Sequence, residues 1–138
     1  MSLSKIFVGV CLVATVYHFV QKGRERVALS KIKPDEYGFV ALSAPHNAPA
    51  DKVFIVAPAN CPKPAGRRAD ALERSLTRAG VPYVRTDRAN FSYTTPVEDA
   101  LRETVMQGEW PIVFIASHVK NSPDATDIIS EYKLVRRK

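Results

Sequence analysis

From Lys52 onward the chain alternates between short apolar runs and stretches with helical spacing. Val53-Phe54-Ile55-Val56 is continuously apolar, the pattern of a strand buried on both faces. Ala57 to Asn60 read as a loop that ends at Cys61-Pro62-Lys63-Pro64. A helix follows to Ala79. Leu72, Leu76 and Ala79 recur at i, i+4 and i+7, with Arg67, Arg68, Arg74 and Arg78 turned largely outward. Gly80 and Pro82 stop that helix, and Val81 to Val84 form a second strand. Strand, helix and strand together have the length of a parallel crossover. A polar loop from Thr86 to Tyr93 leads to a second helix start. There Thr95 is the N-cap, Pro96 takes the first position and Glu98 closes a capping box. Val97, Leu101 and Val105 give this helix its apolar face, and Gly108 ends it. Ile112 to Ile115 is a third strand, Ala116-Ser117 a turn, and Val119 part of a hairpin partner. Ser122-Pro123-Asp124 opens a last helix to about Lys133. The order is βαβ, α, ββα.

The N-terminal third has a different pattern. Ile6 to Val20 is fifteen residues without a charge. As a helix it spans roughly 22 Å, short of the roughly 30 Å hydrocarbon core of a bilayer. Leu3, Ser4 and the snorkelling side chains of Lys5 and Lys22 extend it to a single marginal span, with Tyr17 near one interface. A cleaved signal peptide would need small residues soon after the apolar core, and Gln21 to Arg26 do not place them there. A lipoprotein signal would need a small residue before Cys11, where Val10 stands. A buried core helix is the third reading, and it is at odds with apolar residues on every face. Residues 1–22 are therefore read as a transmembrane anchor. Inside it, His18 is an interfacial residue near a helix end and Cys11 a small apolar one. Residues 23–51 are a basic juxtamembrane linker in which Pro34 breaks any continuing helix and Tyr37 to Leu42 form a short strand. Pro45 to Pro49 are loop, with a solvated His46.

Charge sharpens this division. The 138-residue chain has a formal net charge of +6. Residues 1–33 contribute +5 and the last six residues +4, which leaves 34–132 at −3. A nucleic-acid surface should carry its basic charge on the fold itself, so no nucleic-acid partner is expected. The basic flank after the apolar run favours anionic headgroups and, by the positive-inside rule, a domain on the cytoplasmic side. The short N-terminal tail is also compatible with a periplasmic one. Two cysteines exclude a disulfide scaffold and a four-cysteine zinc site. His46, His118 and Cys61 lack ligand spacing, so no metal is expected.

Three stretches carry a family resemblance: VFIVAPANCPKPAGRRADALERSL, GVPYVRTD and EWPIVFIASHVKNSPDATDII. With Cys-Pro at the first strand-to-helix junction and a proline directly before the third strand, residues 52–133 resemble the glutaredoxin branch of the thioredoxin-like fold. The resemblance implies an α/β, thioredoxin-like domain of the βαβ-α-ββα type; the apolar run places one N-terminal transmembrane helix before it, and the charge pattern leaves 134–138 as a basic tail. It aligns Cys61 with the nucleophile and Pro62 with the proline that follows it. Pro111 aligns with the family's cis-proline and Trp110 with the residue whose backbone pairs with a glutathione-like substrate. Asp124 aligns with the acid near the glutathione amino group. The chain departs from the pattern where Pro64 replaces the resolving cysteine, Asn121-Ser122 a Gly-Gly pair, Ala125 a second acid and Glu109 a threonine. No lysine precedes Cys61 in Ala57-Pro58-Ala59.

With one thiol the implied activity is monothiol exchange on glutathione mixed disulfides, with glutathione as cofactor and a glutathionylated protein as partner. A helix N-terminus and nearby Lys63, Arg67 and Arg68 favour the thiolate, while Pro62 and Pro64 remove N–H donors. The competing reading is a non-catalytic thioredoxin-fold interaction module of a membrane or envelope assembly. Bridging of an iron–sulfur cluster does not fit Cys-Pro-Lys-Pro.

Overall fold

The structure, a computed structural model, describes residues 3–92 and 94–138, with side chains from Ala14 onward apart from Glu25. The chain divides into two compact units, residues 1–32 and 33–138.

The first unit is one helix, α1 (Leu3–Ser30), which runs unbroken through the basic flank before ending ahead of Pro34. Val16, Tyr17, Phe19, Val20 and Val27 on it are exposed, and Gln21 Nε2 donates to the Tyr17 hydroxyl at 2.9 Å. Among the described residues no helix is long and apolar enough to cross a membrane. Most of the apolar run expected to do so, including Cys11, has side chains outside the described set.

The second unit is α/β, with a mixed five-stranded sheet. Its elements are β1 (Val40–Ala41), β2 (Val53–Val56), α2 (Pro64–Arg78), β3 (Tyr83–Thr86), α3 (Pro96–Met106), β4 (Ile112–Ile115), β5 (His118–Asn121) and α4 (Ala125–Arg136). The strand order is β1-β5-β4-β2-β3. β2 and β3 are parallel across the α2 crossover; β4 is antiparallel to β2 and to β5, and β1 to β5. This arrangement is compatible with a thioredoxin-like fold.

Strand periodicity explains the two cores. Val53, Ile55, Val113 and Ile115 face one side, where Ala69, Leu72 and Leu76 of α2 and Ile128 of α4 cover them. Phe54, Val56, Ile112 and Phe114 face the other, against Val105 of α3 and Leu42. The rings of Phe54 and Phe114 meet edge-on at 6.5 Å. Both central strands are buried at all four positions, as their continuous apolar runs require.

Several local details differ from the pattern in the sequence. The third core position of α2 is Ala69, because Ala79 is the exposed C-cap. The second strand starts at Tyr83, since Val81 packs in the core and Pro82 offers only its carbonyl, to Val53 N–H at 2.9 Å. At α3 the Thr95 hydroxyl accepts from Glu98 N–H at 3.3 Å. The Glu98 carboxylate does not close the box; it accepts from Ser43 N–H at 3.0 Å, and Ser43, through its hydroxyl first and this N–H second, holds the carboxyl below the ordinary range. His46 is exposed but bonded, through its ring to the Ser92 hydroxyl and through its backbone N–H to Asn90 O. Tyr93, at the end of the expected polar loop, lies outside the described residues.

The stretch 33–51 packs as part of the domain. Phe39 and Leu42 are buried, one in each core. Asp35 organises the entry: its carboxylate accepts from Tyr37 and Phe39 N–H at 2.9 and 2.8 Å. Lys120 then ties the Tyr37 carbonyl (2.7 Å) to Asp127 (2.6 Å).

Candidate functional site

The register brings the expected site residues to one end of the sheet. Val56, the last residue of β2, pairs with Ile112, the first of β4, and Ile112 pairs with Asn121, the last of β5. Cys61 follows β2, Trp110-Pro111 precedes β4, and Asp124 follows β5.

Cys61 is a free cysteine of intermediate exposure in the loop between β2 and α2. Asn60, with φ of 49°, turns the chain into it; asparagine tolerates this left-handed backbone better than most residues. α2 begins two residues past Pro62, with Lys63 as N-cap making no side-chain cap and Pro64 at the first position. Gly66, buried in the first turn, fixes the approach. A Cβ there would lie 2.0 Å from the Cys61 carbonyl oxygen and 2.7 Å from Cys61 Cβ. Only glycine lets the helix start pack so closely on the cysteine.

The loop is also anchored from β3. Arg85 Nη1 meets Asp70 at 2.5 Å and Glu73 at 2.7 Å, both on α2, and Nη2 donates to the Pro58 carbonyl at 2.5 Å. One guanidinium thus joins strand, helix and the approach to Cys61. An open groove of about 450 Å³ runs past Ala59, Asn60, Arg85 and Asp87.

The Trp110–Pro111 peptide is cis, and Pro111 is buried. The carbonyl of Trp110 is occupied: Arg68 donates to it from Nε at 3.2 Å and from Nη2 at 2.8 Å. This backbone was expected to offer itself to a peptide-like substrate. Its acceptor is instead taken by a side chain from the second turn of α2. The same loop is held from β5. Asn121 Nδ2 donates to the carbonyls of Val105 (2.7 Å) and Glu109 (3.2 Å), and Ser122 N–H to Pro111 O at 2.7 Å. Gly108 makes room, since a Cβ there would lie 2.6 Å from Asn121 Nδ2. Ser122 has φ of 43°, a left-handed backbone at one of the two positions where the resembled family has glycine.

Pro62 is exposed beside Cys61. Asp124 is the exposed N-cap of α4 and makes no side-chain cap bond. Among the described residues no group of three or more His, Cys, Asp or Glu is placed to hold a metal ion. No family model, curated protein or solved structure matches the chain.

The contacts of Arg68, Gly66, Asn121 and Arg85 escape a reading of the sequence alone, which offers Arg68 only as positive charge near the thiol and Asn121 only as a departure from a Gly-Gly pair. The signal available for Gly66 is its place inside the first turn of a helix directly after a cysteine loop, where a glycine marks a close approach. The arginine and asparagine bonds go to backbone carbonyls brought close only by the tertiary fold.

Proposed function

We propose that this chain is a membrane-anchored monothiol oxidoreductase of glutaredoxin type, with a thioredoxin-like domain, acting on glutathione mixed disulfides through Cys61. The observation that carries the reading is the free, half-exposed Cys61 at the β2–α2 junction, at the sheet end that also holds the Trp110-Pro111 loop. The Cys61 thiolate attacks the glutathionyl sulfur of a protein–glutathione disulfide. That S–S bond breaks, the protein thiolate leaves and takes a proton, and a Cys61–glutathione disulfide forms. A second glutathione thiolate attacks the glutathionyl sulfur, releasing oxidised glutathione and the Cys61 thiolate. Pro64 in place of a second cysteine makes the external glutathione obligatory. Pro62, Trp110, Pro111 and Asp124 line the substrate side. The test is turnover of a glutathionylated peptide by the full-length protein in neutral detergent. Turnover should be first order in glutathione and lost in Cys61→Ser; a Cys61→Ser rate equal to wild type overturns the reading.

The second reading, a non-catalytic interaction module, draws on one observation: the Trp110 carbonyl is already bonded to Arg68.

The anchor is residues 1–22. It is supported by the charge-free run Ile6 to Val20 and by the exposed Val16, Tyr17, Phe19 and Val20 of α1, which a lipid phase would cover. Deletion of 1–22 should move the protein from the membrane to the soluble fraction. No change on deletion rules the anchor out.

A further inference from the structure

α2 carries more basic charge than its packing uses. With about 3.6 residues per turn, Lys63, Arg67, Arg74 and Arg78 fall at i−4, i, i+7 and i+11, one narrow stripe along the helix. Ala71, at i+4, sits within the same stripe and adds no bulk. All five positions are exposed. Among the described residues none of the four basic side chains makes an ion pair. The two acids of α2 are both drawn to Arg85, Asp70 at 2.5 Å and Glu73 at 2.7 Å, so they offset at most one charge of the stripe, at the groove they share with Arg74 and Arg78. Arg68 is turned away from it, onto the Trp110 carbonyl. With Asp70, Glu73 and Arg85 together at −1, the four basic side chains leave this side of the helix at +3, although residues 34–132 as a whole sum to −3. The stripe begins two residues after Cys61.

We infer that this face docks an acidic segment flanking the cysteine of the protein substrate. The inference rests on the thiol-exchange reading of Cys61 and names the partner chemistry for it. From Lys63 to Arg78 the stripe is roughly 22 Å long. An extended chain at roughly 3.3 Å per residue matches it with about six or seven residues. A run of that length rich in aspartate and glutamate, next to the glutathionylated cysteine, meets a pair of charges toward each end of the helix, Lys63 with Arg67 and Arg74 with Arg78. Long-range attraction of this kind steers encounter and sets partner choice, and it weakens with salt. An anionic lipid surface is the competing acceptor for the same charges.

The test separates docking from chemistry by using a peptide that cannot react. A fluorescent peptide with one serine followed by six glutamates, and its six-glutamine counterpart, are titrated with the full-length protein in neutral detergent at low salt. The glutamate peptide should bind about tenfold more tightly, a sum of several weak exposed pairs. The triple variant Arg67→Gln, Arg74→Gln, Arg78→Gln should lose that preference, and the triple lysine variant should keep it. Equal binding of the two peptides, or an unaffected glutamine variant, overturns the inference. So does a phosphatidylserine-dependent flotation with vesicles that the glutamine variant loses while neither peptide is preferred; that result assigns the stripe to a lipid surface. If the serine peptide docks but its glutathionylated cysteine analogue is not turned over, the docking face stands and the thiol-exchange reading fails.

Discussion

Where β2 runs toward Cys61, the charged side chain drawn inward is Arg85, and two carboxylates and a carbonyl meet it. Where β4 turns into β5, at the far end of the same sheet, the buried charge is Glu131 on α4, with no exposed surface at all. His118 Nδ1 lies 3.0 Å from Glu131 Oε1 without hydrogen-bond alignment, and Asp35 adds a second carboxylate rather than a cation. Burial pushes the Glu131 carboxyl up to about 7, Asp35 adds to the rise, and Lys138 opposes it. A buried charge that finds opposite charges stays ionised and braces its surroundings; one that does not takes up a proton and makes stability depend on pH. The Cys61 end is thus braced by arginine and glycine, and the far end holds a carboxyl that gives up its proton only near neutral pH.

The largest effect should come from breaking the close packing at the Cys61 end. Gly66→Ala puts a methyl group 2.0 Å from a backbone oxygen, which no rotamer change relieves. The helix start or the cysteine loop must move. The variant should lose about 3 kcal/mol in denaturant unfolding, at the upper end of overpacking costs, and Cys61 should alkylate at a changed rate. Near-wild-type stability would mean that the loop yields freely and that Gly66 braces it only slightly.

At the far end the probe is pH. Glu131 has a raised folded-state pKa, so the folded protein holds a proton that the unfolded chain releases above the ordinary carboxyl value. Its contribution to stability is present in full below about 4.5, and it is lost as pH rises toward and through about 7. Glu131→Gln keeps the shape and removes the titration. It should match wild type near pH 5 and exceed it by about 2 kcal/mol near pH 8. Parallel stability curves for the two proteins over that range would show that His118 compensates the charge.

What the sequence disclosed and what it hid divide along the same line. Val53 to Val56 and Ile112 to Ile115 were legible as doubly buried strands because burial on both faces demands an unbroken apolar run. Cys61, Trp110, Pro111 and Asp124 are named through the resemblance to glutaredoxins, and the pattern contributes only the element boundaries at which they sit. The inward charges were not legible. Glu131 lies among polar neighbours in a helix of ordinary composition, and Arg85 follows an apolar pair in a strand. In both cases the partners are remote in the chain: Asp35 and His118 for one, Asp70, Glu73 and Pro58 for the other. Side chain–backbone bonds such as Arg68 to Trp110 leave no periodic trace at all.

That bond offers a milder way to test the braced end. Arg68→Met keeps much of the apolar stem and frees the Trp110 carbonyl. If Arg68 positions the loop and the proposed thiol exchange holds, KM for a glutathionylated peptide should change by about fivefold, the scale of about 1 kcal/mol for a solvent-exposed hydrogen bond. Alkylation of Cys61 by neutral iodoacetamide should stay within about twofold. A change in the alkylation rate as large as the change in KM would mean that Arg68 acts on the sulfur instead of the loop.

The smallest expected difference sharpens the comparison most directly, because it uses the same backbone feature at both ends. Ala116, the first of two turn residues between β4 and β5, has φ of 50°, and Ser122, just past β5, has φ of 43°. Both hold a left-handed backbone that L side chains adopt at a cost of about 1–2 kcal/mol, and glycine would relieve it while adding unfolded-state entropy. Each glycine variant should therefore gain about 0.5 kcal/mol. They should differ in what else changes. Ala116→Gly lies beside His118 and should leave turnover of a glutathionylated peptide unaltered. Ser122→Gly lies beside Asn121, whose amide holds the carbonyls of Val105 and Glu109, and its own N–H holds the Pro111 carbonyl. Added freedom there loosens the loop that carries Trp110, so stability should rise while KM drifts upward. Stability gained at Ser122 with no kinetic change would show that the side-chain bonds of Arg68 and Asn121 hold the loop without help from the backbone turn.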